Sequence, residues 1–366
     1  MATTAQYLEQ LQADKQTLVD NLVAKGVEAT NDETFTSLVP KVADIQSGGE
    51  VYTPEYISFY SYQGTSLENA LKNIDTSNIT TMMNCFSGCS NLISVDLSNI
   101  DTTNVTSTYG MFQTCRKLEN VIFPKKGFPN VTDISYMFNN GPIIKKINIE
   151  PFNSGKLKDT RYLFGSCKYT EEIIIGNCDT STVTNMSYMF SGIGEKIEGT
   201  KCDLENLKTN SVTTMEQMFY SANLLEYSFE NYPNFVTDNV TRMSSMFGDN
   251  KSITELNLSS FNTAKVYSFA MMFRYCSNLT SLDLSGFTIE KCTSTSAFQD
   301  MFNGCTALRH LDIRSMEFTD KVKPQTSTFT NVPADCEIIV KDDTVRNIVL
   351  SVVPTLTNIK TVAELV

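Results

Sequence analysis

The dipeptide Met-Phe constrains this chain more than any other feature, because it recurs at a nearly fixed interval. Its Phe falls at Phe112, Phe138, Phe190, Phe219, Phe247, Phe273 and Phe302. Three degenerate copies, Cys85-Phe86, Leu163-Phe164 and Thr328-Phe329, complete the series. Successive anchors lie 26, 26, 26, 26, 29, 28, 26, 29 and 27 residues apart. A period of this size marks a repeat architecture, and a unit so small buries its apolar face only by stacking on its neighbours.

Within the period, an apolar residue stands seven before the anchor (Ile79, Val105, Val131, Leu157, Val183, Val212, Val240, Val266). Another follows three to four residues later, often Met: Met82, Ile134, Met186, Met215, Met243, Phe269. Apolar residues at this spacing predict one face of a short helix of about two turns. The period then changes. Leu92-x-x-Val95-x-Leu97, Leu279-x-x-Leu282-x-Leu284 and Leu308-x-x-Leu311-x-Ile313 end in strict alternation, the pattern of a strand with one face inward. The expected fold is an α/β repeat solenoid of leucine-rich type, with about ten coils of short helix plus parallel strand. Ten strands at about 4.8 Å spacing give a rod on the order of 50 Å long.

Of the ten cysteines, Cys89, Cys115, Cys167, Cys276 and Cys305 share one coil position, three residues after the anchor. There is no Cys-x-x-Cys pair, and His310 is the sole histidine, so neither a disulfide framework nor a zinc site is indicated. Gly141, Ile193 and Ala222 at the same position point to a small buried slot in which Cys acts as a hydrophobe. Polar turns such as Asp75-Thr76-Ser77-Asn78 and Asp101-Thr102-Thr103-Asn104 separate strand from next coil. Their side chains are suited to bonding turn amides, and Asn78, Asn104 and Asn130 are expected to form a ladder.

A net charge of −12 argues against a phosphate backbone or an anionic membrane surface as partner. No 18-residue apolar run is present, and the N-terminus lacks a signal-peptide core, so synthesis in the cytosol without membrane insertion is expected. His310 alternates outward with no nucleophile or acid placed beside it by sequence, and no phosphate loop or dinucleotide fingerprint occurs. The sequence therefore indicates neither an enzyme nor a cofactor. A candidate ligand face comes instead from outward strand positions: Asp96, Asn120, Asn148, Glu172, Glu255, Asp283, His310, Asp312 and Arg314. Polar residues there are also what any half-buried sheet shows. Tyr62, Tyr136, Tyr162, Tyr188, Tyr220, Tyr267 and Tyr275 offer saccharide-stacking or protein-contact area, or packing between coils.

The stretches Asn185-Met186-Ser187-Tyr188-Met189-Phe190-Ser191-Gly192 and Cys276-Ser277-Asn278-Leu279-Thr280-Ser281-Leu282-Asp283-Leu284-Ser285 closely resemble the repeat of the BspA-like leucine-rich family. The resemblance covers roughly residues 65–340 and implies a surface-exposed, adhesin-type protein. It speaks for the fold rather than for a ligand, since the matching residues are those that build the coil.

At the N-terminus, residues 3–25 read as a helix with Leu8 and Leu22 at one heptad position and Leu11 and Leu18 at another. A second helix is expected after Asn31-Asp32-Glu33, and Ser47-Gly48-Gly49 reads as a linker. Residues 1–46 are either a cap on the first coil or a separate mount. The string from Ala5-Gln6-Tyr7-Leu8 to Leu38-Val39-Pro40-Lys41-Val42 is similar to N-terminal segments of tail and baseplate-associated proteins of phages and prophages of Gram-positive bacteria. That resemblance implies a virion component: a homotrimer docking to tail or baseplate proteins through residues 1–47, with the solenoid on a bacterial surface protein or glycan. The alternative is a bacterial cell-surface-associated adhesin of the BspA-like type. The expected organisation is an attachment segment over 1–47, a linker and entry to the solenoid over 48–64, the solenoid over 65–335 and a C-terminal cap over 336–366.

Overall fold

In the computed structural model the described residues are 12, 15–23, 28–33, 56–65, 67, 71 and 74–365. The alternating stretches form short strands: β1 (Ser94–Asp96), β2 (Asn120–Ile122), β3 (Lys146–Asn148), β4 (Glu172–Ile174) and β5 (Lys201–Cys202). They continue as β6 (Glu255–Asn257), β7 (Ser281–Asp283), β8 (His310–Asp312), β9 (Glu337–Val340) and β10 (Ile359–Thr361). Every pairing is parallel and joins successive coils. The sheet is broken into β1-β2, β3-β4-β5 and β6-β7-β8-β9-β10, so the chain is a parallel-strand β-solenoid with an interrupted ribbon.

The anchor phenylalanines form one column. Phe59, Phe86, Phe112, Phe138, Phe164, Phe190, Phe219, Phe247, Phe273, Phe302 and Phe329 stack in sequence, with centroids between 5.3 and 6.4 Å apart. Phe59 is an additional anchor before the expected series, within the stretch read from sequence as linker and entry to the solenoid. Tyr56 bridges to Thr81, and the Phe59 and Ser61 amides donate to the carbonyls of Cys85 and Ser87. The solenoid thus begins ahead of residue 65.

The short helix expected in each coil is replaced by consecutive tight turns, with single 3-10 turns at Thr295–Phe298 and Thr326–Phe329. Left-handed backbone recurs two residues before and two after the anchor: Asn84 and Gly88, Tyr136 and Asn140, Tyr162 and Ser166, Gln217 and Ser221, Met271 and Tyr275. One set of amides, those of Cys85, Ser87 and Cys89, closes turns onto the carbonyls of Met82, Asn84 and Phe86. The intervening amides of Met82, Asn84, Phe86 and Gly88 donate across to Ser107, Tyr109, Met111 and Gln113 carbonyls at 2.8–2.9 Å. A two-turn helix would leave most of its backbone groups unpartnered in a dry interior. The turn ladder pairs them at a cost of about 1–2 kcal/mol per non-glycine left-handed residue.

The cysteine slot has a chemical role as well as a size. The Sγ of Cys89, Cys115, Cys167, Cys276 and Cys305 donates to the carbonyl of the preceding anchor, Phe59, Phe86, Phe138, Phe247 and Phe273 respectively, at 2.9–3.3 Å. Asn250 occupies the slot after Phe247, and its buried Nδ2 donates to the Phe219 carbonyl at 3.2 Å. Among the described residues all ten cysteines are free thiols. Burial pushes Cys276 and Cys292 up to about 12.

At the C-terminus a helix over Asp343–Val352 is capped by Asp342, whose carboxylate accepts from the Val345 amide at 3.0 Å. Val345 and Val349 are buried against the last coil, and β10 then adds to β9. At the N-terminus the described helical residues are 12 and 15–23. Leu22 is buried with Val19 and Ala29, and Leu18 and Ile74 pack on that cluster. Leu8, Leu11 and the second expected helix after residue 33 lie outside the described residues.

Candidate recognition surface

The polar turn motif resolves into three fixed tasks. Asp101 and Asp179 accept from the amides two residues ahead, Thr103 and Ser181, at 2.9 and 3.1 Å. The next residue is a buried Thr that links coils. Thr180, Thr237 and Thr263 each donate to a carbonyl of the following coil and accept an amide from it. Asn104 and Asn130 then donate to the Ser77 and Thr103 carbonyls of the preceding coil at 2.8 and 2.7 Å, the part of the expected Asn78-Asn104-Asn130 ladder that forms.

The strand ribbon divides in the same way. Asp96, Asn148, Asp283 and Asp312 each end a strand and accept the amide two residues on, those of Ser98, Glu150, Ser285 and Arg314, at 2.8–3.0 Å. These four candidate residues are turn formers. Asp312 is buried, and Arg314 folds back onto its carboxylate through Nε and Nη2. Partial burial works against Asp283, but its bonds from Ser285, with Arg314 and His310 nearby, hold its carboxyl below the usual range.

Two further candidates sit in ion-pair chains along the rod. Glu172 lies between Lys146 at 2.7 Å and Lys201 at 3.9 Å, and Lys146 is the main cause of its lowered pKa. His310 Nδ1 is 2.9 Å from Glu337, which also holds Lys360. Lys360 first, then His310, lowers the Glu337 carboxyl. Glu255 and His310 fall in one register column, through Ser281. Asn120 and Glu255 are exposed, with Ile122 beside Asn120 at 46% exposure. Eight of the nine candidates lie on the three hydrogen-bonded segments of the ribbon, and Arg314 lies two residues beyond β8.

On the opposite, turn-built side, Tyr109, Tyr136, Tyr162 and Tyr188 stack at 5.2, 4.7 and 4.1 Å. The faces of Tyr162 are taken up by its two neighbours, so this inner ring serves packing between coils rather than saccharide stacking. Tyr267 and Tyr275 remain exposed on this side. The Asp-x-Ser spacing of Asp96-Leu97-Ser98 and Asp283-Leu284-Ser285 was the sequence signal for turn formers on the ribbon. Sequence reasoning missed Asn250, because nothing local marks an amide as the substitute for a thiol.

Among the described residues no group of three or more His, Cys, Asp or Glu is placed to hold a metal ion. No described helix is long and apolar enough to cross a membrane.

A leucine-rich cell surface protein from Faecalibacterium prausnitzii A2-165 is similar at 19% identity, covering 76% of this chain and 74% of that one, with a TM-score of 0.38. The pneumococcal vaccine antigen PcpA is similar at 13% identity, covering 82% of this chain and 78% of that one, with a TM-score of 0.27. Curated protein sequences give no match. A family model described as "Mycoplasma protein of unknown function, DUF285" matches residues 57–146, 132–253 and 226–338. The three overlapping matches contain every anchor from Phe59 to Phe329 and most of the 366 residues, and the chain belongs to the DUF285 family.

Proposed function

We propose that the chain is a non-enzymatic, bacterial cell-surface-associated recognition protein of the adhesin type, with the solenoid as its binding element. The observation that carries this reading is a division of labour along the repeat. Recurring residues are taken up by the coil: the Phe column, the thiol slot, the Asp-Thr turns and the strand-ending Asx residues. Outward residues such as Asn120, Ile122 and Glu255 differ from coil to coil and serve none of these tasks. A stacked rod of this kind offers an extended surface on which such residues accumulate contacts. The resemblance of the repeat to the BspA-like family supports the surface role. The ligand class is a surface protein or glycan.

The test is saturable binding of the purified full chain to cell-wall fractions of Gram-positive bacteria. Saturable binding is expected; its absence from every fraction contradicts the proposal.

A second reading is a receptor-binding subunit of a phage tail or phage-derived contractile particle, trimeric through residues 1–47. The sequence of that segment favours it, and neither the repeat nor the family match bears on it. Solution mass decides between the two: a trimer supports the second reading, and a monomer at all concentrations removes it.

A further inference from the structure

We propose that the turn-built face around Arg274 docks an acidic protein segment. This rests on the reading of the solenoid as a binding element and assigns it a second contact, away from the strand ribbon. The Arg274 guanidinium lies over the Tyr275 ring, 4.5 Å from its centroid, and Nη2 donates to the Tyr275 hydroxyl at 3.1 Å. One turn ladder earlier, Arg242 lies 5.8 Å over the Tyr267 ring and its Nε donates to the Tyr267 hydroxyl. Tyr267 and Tyr275 stand at the two ends of the same Met-Phe turn and are 42% and 41% exposed, among the most exposed rings described.

The charges do not cancel. Arg242 faces Glu216 at 3.8 Å, and Lys251 faces Asp249 at 3.4 Å. Among the described residues no carboxylate lies within 4.0 Å of Arg274, in a chain of net charge −12. An aromatic brace holds this guanidinium in place before any partner arrives, which lowers the ordering cost of binding. Arg and Tyr are also the side chains that most often dominate protein interfaces.

The unpaired guanidinium selects the partner class. One face of Tyr275 is under Arg274, and Gly304 approaches its Cδ1, where an added Cβ would be 2.3 Å away. Nε of Arg274 is buried and Nη1 lies 4.0 Å from Met271 Sδ, so the Nη N–H groups and the Tyr275 hydroxyl are the donors offered, and a guanidinium is the best-matched group for a carboxylate. At physiological salt the screening length is about 8 Å, so distant acidic groups oppose the contact only weakly.

The test uses the full chain at physiological salt on immobilised poly-L-glutamate, alginate and neutral dextran. Saturable binding to polyglutamate is expected, at least tenfold tighter than to alginate, with none to dextran. Arg274→Glu and Arg274→Gln should each weaken it at least tenfold and fivefold respectively, with the unfolding midpoint unchanged. Tyr275→Phe keeps the ring and should weaken binding severalfold. No binding to polyglutamate, equal binding to alginate, or wild-type binding by both folded Arg274 variants overturns the proposal. Cell-wall binding measured in parallel separates the two claims. If it persists while polyglutamate binding fails, only the acidic-segment assignment falls; if it alone fails, the adhesin reading falls.

Discussion

Replacing Phe190 tests the idea that the ring column holds the rod together. Phe190 is fully buried, with centroids 5.5 Å from Phe164 and 5.4 Å from Phe219 at interplanar angles of 28° and 4°. Truncation of a buried Phe to Ala costs about 3–5 kcal/mol. Phe190→Leu keeps most of the volume and removes two ring pairs, each worth about 0.5–1.5 kcal/mol beyond area burial, so about 1–3 kcal/mol is expected. Phe59 ends the column with one ring neighbour, Phe86 at 5.4 Å, and Phe59→Leu should cost about half as much. Position matters for cooperativity too. Coils contact only their neighbours, so weakening the middle should split one unfolding transition into two and lower the apparent urea slope. Weakening the end should not. Urea titration followed by circular dichroism reads both quantities. A loss below about 1 kcal/mol for Phe190→Ala, or equal costs for the two Leu variants, refutes the column as the stabilising element.

The remaining expectations follow from the slot, the turns and the ion pairs. A thiol-specific disulfide reagent at pH 8 should leave buried Cys276 and Cys292, pushed up to about 12, unmodified in the native protein and label all ten cysteines after denaturation; rapid native labelling of Cys276 contradicts the slot. Thr114 is β-branched in left-handed backbone at φ 60°, and Thr114→Gly should stabilise by about 1 kcal/mol in the same titration. Glu337 and Asp159 should respond to pH with opposite signs. Lys360 and His310 lower the Glu337 carboxyl, so its contribution is present above the unfolded pKa of about 4.3 and fades as pH falls through the folded value. Burial raises the Asp159 carboxyl despite Arg161, so its contribution is full below about 3.9 and is lost as pH rises through the folded value. Glu337→Gln should therefore flatten the acid limb, whereas Asp159→Asn should raise stability at neutral pH; the same sign from both variants contradicts the assignment.

The period, the strand positions and the inward residues were legible because each follows from spacing alone. Val95, Ile147, Leu282 and Leu311 all point inward as the alternation predicts. The turn ladder was not legible. Apolar residues at Met82, Cys85 and Phe86 have helical spacing, and the breaks fall on Asn84, Tyr136, Tyr162 and Gln217 instead of on a recurring glycine. Cross-coil hydrogen bonding, a property of the stack rather than of any one coil, decides that contest. Phe59 escaped because no Met precedes it: Ser58 does. On the ribbon, Asp312 is buried rather than outward, and Asp96, Asn148, Asp283 and Asp312 serve the turn behind them, a role that polarity alone does not distinguish from a contact surface.

The most direct test of the solenoid as the recognition element is an amide-exchange footprint of the full chain bound to a cell-wall fraction. Protection should appear within residues 57–338, at outward positions of the ribbon or of the turn face. Protection confined to residues 1–47, with the solenoid exchanging as in the unbound chain, would contradict it.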